Sequence, residues 1–195
     1  MGRKRAFDAT AIETKAMDYF WHHGFCSTSL DDLVSHLGIS RSSLYSVWPS
    51  KDALFRAAFA RYIQTVGMES LTPLTEVSSR TAREAVTLTF NKVAEQISHD
   101  PWQRGCLMVN TITELSAVNP ELAQIAHDAR TEVQKLFRLS LEPLVEAGNK
   151  TPKEADADAD FLLTLFLGLR VLARHTPEAD HAKQIVARGL ASVFV

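Results

Sequence analysis

Apolar side chains recur at helical spacing from near residue 9 to the end of the chain, and no stretch alternates long enough to make a strand. The pattern predicts an all-α protein of about nine helices. The first, near 9–23, places Ile12, Ala16, Tyr19 and Phe20 on one face, with Gly24 behind it suited to a left-handed C-cap. A second, near 30–37, carries Leu30, Leu33, Val34 and Leu37 at the spacing of one helix face; Ser29 and Asp32 make an acidic variant of the capping box, and Gly38 stops it. Ser40 caps a very short third helix bearing Leu44 and Tyr45, and Pro49-Ser50 marks the turn before a fourth that starts near Lys51. The fourth helix's face, Leu54, Phe55, Ala58 and Tyr62, covers the first three.

Gly67, Pro73 and the Ser/Thr-rich stretch to Thr81 read as a loop or helix break. Beyond it, Val86, Phe90, Val93 and Ile97 stripe a fifth helix closed by His99-Asp100-Pro101, and residues 105–117 make a sixth. A seventh spans about 120–147 with a kink at Pro143, ending at Gly148-Asn149. The eighth, near 154–174, is apolar on nearly all sides in its second half and so is buried on more than one face. A seam of Ala182, Ile185, Val186, Gly189, Leu190 and Val193 marks the ninth, near 178–194, whose small residues permit close helix approach.

With 195 residues, 46% of them hydrophobic, the chain has ample material for a core and is not a disordered protein. Its basic start, Arg3-Lys4-Arg5, runs into Asp8 and Glu13 instead of an apolar signal core, so nothing points to export. The longest apolar run, Phe161 to Ala173, is shorter than the roughly 20 residues a bilayer span needs and contains Arg170. A cytoplasmic protein with no membrane partner is expected. Cys26 and Cys106 have no short spacing and no nearby histidine pair, which signals neither a disulfide framework nor a zinc site. The seven histidines show no metal-ligand spacing, and His22 and His23, being adjacent, are expected to point different ways. No metal or cofactor is expected. The net charge of −2 hides an asymmetry: residues 1–62 hold eight Lys/Arg against six Asp/Glu, and the remainder thirteen against seventeen.

The basic end also carries the chemistry. Two short helices joined by the tight turn Leu37-Gly38-Ile39 form a helix-turn-helix arrangement, whose second helix enters the DNA major groove. Here that helix is Ser40 to Ser46, whose polar outer face either reads DNA or is merely solvated, as in the short Ser- and Gly-rich helices that punctuate many bundles. Arg41 suits bidentate donation to guanine, the serines suit base edges or phosphate, and Leu44 faces the core. Tyr45 can reach a phosphate through its hydroxyl, and Lys51 another beside the next helix's amides.

Several segments carry a resemblance in order and spacing: Gly2 to Asp8, Ala16 to Gly24, Thr28 to Leu33, Gly38 to Tyr45 and Lys51 to Phe55. Over about residues 3–62 the chain resembles the DNA-binding domain of the TetR family of transcriptional regulators; beyond that the likeness is one of length and helix pattern. The resemblance implies base contacts from Arg41, Ser42 and Ser43, and phosphate contacts from Ser29, Tyr45 and Lys51. Arg3 and Arg5 belong to a segment similar to the basic arm that precedes the first helix in many members, with Lys4 where many have proline. Asp31 and Asp32 repel phosphate, so the second helix is expected to touch DNA by its N-terminal end alone.

The expected division is a helix-turn-helix domain over 1–62 and a ligand-binding and dimerisation domain over 63–195. Fold logic and the resemblance agree that the last two helices pair with their twins across a two-fold axis, since the eighth has more apolar surface than one core can cover; the alternative is that they pack inside a monomer. Such a homodimer presents two recognition helices to a palindromic double-stranded operator. The resemblance also implies repression, and a cavity among helices five to eight for an unidentified small-molecule inducer. Phe90, Trp102, Phe137 and Phe166 are its candidate lining, or else plain core.

Cys106 follows Arg104-Gly105 at a helix start, where the helix dipole and the neighbouring arginine favour a thiolate. The Gly-Cys-Leu opening is similar to that of some thiol-sensing members, so Cys106 is either a redox or electrophile sensor or a small packed residue. Cys26 is expected to lie against the first helix. No phosphate loop, Gly-x-Ser-x-Gly elbow, His-Glu-x-x-His or Cys-x-x-Cys pair is present, which excludes the corresponding enzymes. The rival reading is a helical interaction module without specific DNA binding.

Overall fold

Local signals mark where the helices begin. The computed structural model describes residues 7–76, 81–175 and 179–194. Along it run α1 (Ala9–His23), α2 (Leu30–Leu37), α3 (Arg41–Tyr45), α4 (Lys51–Tyr62), a π-helical turn (Ile63–Gly67), α5 (Met68–Thr75), α6 (Ala82–His99), α7 (Leu107–Leu115), α8 (Pro120–Ser140), α9 (Glu142–Glu146), α10 (Pro152–Leu172) and α11 (Ala179–Val193), with no strand among the described residues. Asp8, Ser40, Ser50 and Asn119 accept from first-turn amides of α1, α3, α4 and α8. Full capping boxes open α2 (Ser29 with Asp32), α6 (Thr81 with Glu84) and α10 (Thr151 with Glu154). Each such cap satisfies amides that have no partner inside the helix and is worth about 1 kcal/mol. Gly38 ends α2 at φ 67°, ψ 28°, the left-handed conformation that turns the chain sharply into α3.

Each expected helix has a counterpart, and two further segments appear. The stretch around Gly67 and Pro73, expected as a loop, is helical: the π turn carries α4 into α5 without a linker, and Leu71, Pro73 and Leu74 of α5 are buried, with α5 against α6. Apolar burial has overridden the low helix propensity of glycine and proline, and the π turn absorbs the misfit. The expected kink at Pro143 is a break. Helix α8 ends at Ser140, and Pro143 sits in the first turn of α9, where its missing N–H costs no hydrogen bond.

Two apolar clusters fill the interior. The first joins α1–α4 to Cys106, Leu107, Met108 and Leu115 around α7, and to Leu122, Ala123 and Ala126 of α8, so the N-terminal head shares its core with the body. The second lies among α5, α6, α8, α10 and α11. Gly189 of α11 faces α10 closely, for a Cβ there would stand 2.8 Å from Leu165 Cδ2. No described helix is long and apolar enough to cross a membrane.

Candidate nucleic-acid interface

Helix α3 sits on the head with one side in the core. Leu44 is fully buried, while Arg41, Ser42 and Tyr45 are exposed and Ser43 is half-buried. This is the division the sequence predicts for a recognition helix. The Ser40 hydroxyl caps α3 by accepting from the Ser43 amide at 3.1 Å, and lies 3.0 Å from the Ser42 hydroxyl and 2.8 Å from that of Ser43. Arg41 is ion-paired with Asp31 at the start of α2, both exposed, so the guanidinium is held at the surface by a partner that solvent and phosphate compete with easily.

Ser29 accepts from the Asp32 amide, and its own amide and hydroxyl donate back to Asp32 Oδ2. Those bonds from Ser29 hold the Asp32 carboxyl below its usual range. Lys51 is placed differently from a free phosphate-binding side chain. Its ammonium donates to the carbonyls of Phe25 at 3.0 Å and Thr28 at 2.9 Å and lies 4.0 Å from the Phe25 ring centre, leaving one of its three N–H groups uncommitted in those bonds. It fixes the loop that sets α2 against α1. Arg3 and Arg5 lie outside the described residues.

The head is tied to the body at several points. The Glu114 carboxylate, on the last turn of α7, accepts from the amides of Phe25 at 3.0 Å and Cys26 at 2.7 Å, in the α1–α2 turn. Asn119 Nδ2 donates to Asp52 at 3.1 Å, Arg56 to the Glu121 carbonyl at 3.1 Å, and Arg104 Nη1 to Asp18 at 3.0 Å. Sequence spacing gives no hint of these pairings, which join residues far apart in the chain. Cys26, expected against the first helix, is exposed instead; partial desolvation where it meets Glu114, and then the Glu114 carboxylate itself, push its thiol up. His22 and His23, expected to diverge, have ring centres 4.6 Å apart, and Tyr19 bridges His23 (4.2 Å) and His36 (4.6 Å). Desolvation first, then the charges of His22 and His36, lower the His23 pKa. No group of three metal-ligating side chains is disposed to hold an ion among the described residues.

The structure brings two of the five expected ligand or sensor residues to one cavity and places the other three elsewhere. A cavity of about 140 Å³ lies at the seam between the two apolar clusters, and Cys106 and Phe166 line it. Phe90 and Phe137 do not. Both are fully buried, 5.9 Å apart at their ring centres, and fill the second core with Phe166. Trp102 is 66% exposed and lies outside the cavity against His22. The reason is tertiary: α6 and α8 press their Phe rings into one another, and the loop before α7 turns Trp102 outward.

Cys106 is buried at the N-cap position of α7, and the Tyr62 hydroxyl donates to its Sγ at 3.3 Å. Arg104, expected beside the thiol, instead binds Asp18 and Asp100 and covers the Trp21 ring at 3.9 Å. The cavity also holds a group that the sequence reading did not place there: Arg170, 4% exposed. A lone cation in the run Phe161 to Ala173 was the signal that could have found it.

Helix-turn-helix head and helical body together define a DNA-binding transcriptional regulator. The family model of bacterial regulatory proteins of the tetR type matches residues 12–58, and that of the C-terminal region of BetI-type transcriptional repressors matches residues 110–195. The chain is 30% identical over 193 residues to the HTH-type transcriptional repressor ComR of Escherichia coli, covering 97% of this chain and 90% of ComR. It is 28% identical to the HTH-type transcriptional regulator YezE of Bacillus subtilis, covering 95% and 96% of the two chains. Among solved structures, a cysteine mutant of the TetR family regulator CifR complexed with 26 bp double-strand operator DNA superposes with a TM-score of 0.86 at 29% identity, covering 97% of this chain and 99% of that one. The chain belongs to the TetR family, and is a DNA-binding regulator and not an enzyme.

Proposed function

We propose that this protein is a repressor that binds a palindromic operator as a homodimer and is released by an inducer held in the cavity. The observation that carries the reading is the outer face of α3: Arg41, Ser42 and Tyr45 exposed on a helix that Ser40 caps and Gly38 sets off from α2. In the complex Arg41 exchanges Asp31 for a guanine edge, and Ser42 and Ser43 turn from Ser40 to neighbouring bases. Ser29, Tyr45 and the free N–H of Lys51 meet phosphates, with Arg3 and Arg5 following a groove. Residues 1–62 are the reading unit and 63–195 the sensing and dimerising one. Support for the dimer comes from α10, where Phe161 and Val171 are apolar yet exposed, as a two-fold face of α10 and α11 requires.

Glu114 supplies the link between sensing and reading. Cys106, lining the cavity, is the N-cap of α7, and the helix's last turn meets the α1–α2 turn through Glu114, so a shift of α7 moves the head. A thiol-reactive inducer is the second route, because Cys106 lines the same cavity. Cys106→Ser abolishes operator release by electrophiles if that route operates; undiminished release removes it.

Selection of random duplex DNA on the purified chain tests the reading. A palindrome enriched by the native protein and lost in Arg41→Ala is the expected result, the variant costing about 1–3 kcal/mol at one base position of each half-site. No enrichment by a folded native chain overturns it in favour of a helical interaction module.

A further inference from the structure

Among the described residues Arg170 has no acidic partner. Nη2 donates to Ser70 Oγ at 3.0 Å and to Gln96 Oε1 at 2.9 Å, both neutral, and Nε has no acceptor at all. The guanidinium lies 4.8 Å from the Phe166 ring centre, and its hydrogen-bond network reaches a carboxylate, that of Glu69, only through Gln96. A cation taken out of water without a counter-charge is expensive, and interiors rarely tolerate one unless something else supplies the charge. Here the surroundings leave room for it. Arg170 lines the seam cavity together with Tyr62, whose hydroxyl currently donates only to the Cys106 sulfur, a weak acceptor. Desolvation keeps the Tyr62 phenol protonated, since its pKa is raised well above the usual range, so it remains a donor.

The remaining wall is apolar, from Leu71, Met108, Val133, Leu136 and Phe166. Glu132, the one carboxylate in the lining, is largely exposed and paired with Lys135 at 2.7 Å, so its charge is turned to solvent. The free volume of about 140 Å³ is close to that of a protein cavity known to take benzene, about 150 Å³. We infer that the seam cavity binds a small monocarboxylate with an apolar body about the size of a benzene ring, its carboxylate held by Arg170 and Tyr62. The inference rests on the inducer-responsive reading above and gives that inducer a chemical class. The carboxylate supplies the missing counter-charge, and the body fills the space between Phe166 and Met108.

Calorimetric titration of the full-length, DNA-free protein tests this, with sodium benzoate and the sodium salts of the acetate-to-octanoate series set against benzamide, benzyl alcohol and sodium sulfate. Benzoate or a mid-length member of the series is expected to bind about 10- to 150-fold tighter than its neutral counterpart, the range a charge-assisted hydrogen bond commands. Arg170→Met reduces carboxylate affinity to the neutral level and leaves benzamide unchanged; Tyr62→Phe weakens it less. Absence of binding by every carboxylate, parity with the neutral compounds, parity with sulfate, or full affinity in a folded Arg170→Met protein overturns the inference. Should Arg170→Met not fold, the charged-to-neutral ratio on the native chain and the Tyr62→Phe titration decide. A chain that selects a palindrome but ignores carboxylates breaks this inference alone. One that binds carboxylates but selects no DNA breaks the repressor reading alone.

Discussion

The head core is built of rings: Phe20, Trp21, Phe25, Trp48, Phe55, Phe59 and Tyr62, with Phe55 edge-on to Phe20 at 5.0 Å and to Phe25 at 5.1 Å. The body's core is mostly leucine, valine and alanine around Phe90, Phe137 and Phe166. At the border of the two lie a void and a guanidinium that has no counter-charge among the described residues. Interlocked rings have few alternative arrangements, which suits a surface that must present the same side chains to DNA every time. A border with unfilled space and unsatisfied charge has somewhere to go when a molecule arrives. Under the proposed function, reading falls to the ring-packed head and responding to the seam with its cavity, and α7 runs between them.

The comparison is broken most severely through the rings. Phe55→Ala is expected to cost about 3–5 kcal/mol in urea unfolding, whereas Leu71→Ala, beside the cavity, falls nearer the 2 kcal/mol end of the range for aliphatic truncations. Equal losses would show that the seam is as tightly filled as the head. Next comes the connection itself. Glu114→Ala removes the acceptor of two backbone amides and is expected to destabilise by about 1.5–3 kcal/mol, less for the exposed bond to Cys26. It also blunts inducer-driven release in an operator-binding assay. Unchanged release with the same loss of stability would assign Glu114 a purely structural role.

A smaller effect sharpens the picture of a head defined by local signals. Ser50→Ala, which deletes the cap on α4, is expected to lower stability by about 1 kcal/mol without changing which operator is selected. The smallest effect concerns pH. His23 has a folded pKa below the ordinary 6.5, so the unfolded chain takes up that proton first as pH falls. Its contribution is complete above about pH 6.5 and declines below it, and His23→Gln flattens a stability profile measured between pH 7.5 and 5.5. A profile unchanged by the substitution would mean that the Tyr19–His22–His36 surroundings do not sense protonation.

Much of the head was legible because its determinants are close in sequence. Ser29 and Asp32, Gly38, and Leu44 among exposed neighbours are read within a few residues of one another, and each behaves in the structure as its spacing predicts. Lys51 was less legible: its sequence position suits a phosphate contact, but the carbonyls it caps belong to residues more than twenty positions away. Aromatic content did not single out the cavity, because a helical stripe supplies phenylalanines to a core and to a pocket alike, and Phe90 and Phe137 went to the core. Arg170 carried the clearer signal, a charge inside an apolar helix, but its partners Ser70 and Gln96 come from two other helices.

The sequence by itself determined the all-helical fold, the turn between α2 and α3, and the polar face of the recognition helix, because caps, glycine conformation and helical periodicity act over one or two turns. Only the tertiary structure decided that α5 is a helix in spite of Pro73, that α7 grips the head through Glu114, and that Arg170 and Tyr62 meet Cys106 in one cavity. Those outcomes depend on which surfaces exclude water together, a long-range balance of apolar burial and desolvated charge that no local pattern encodes.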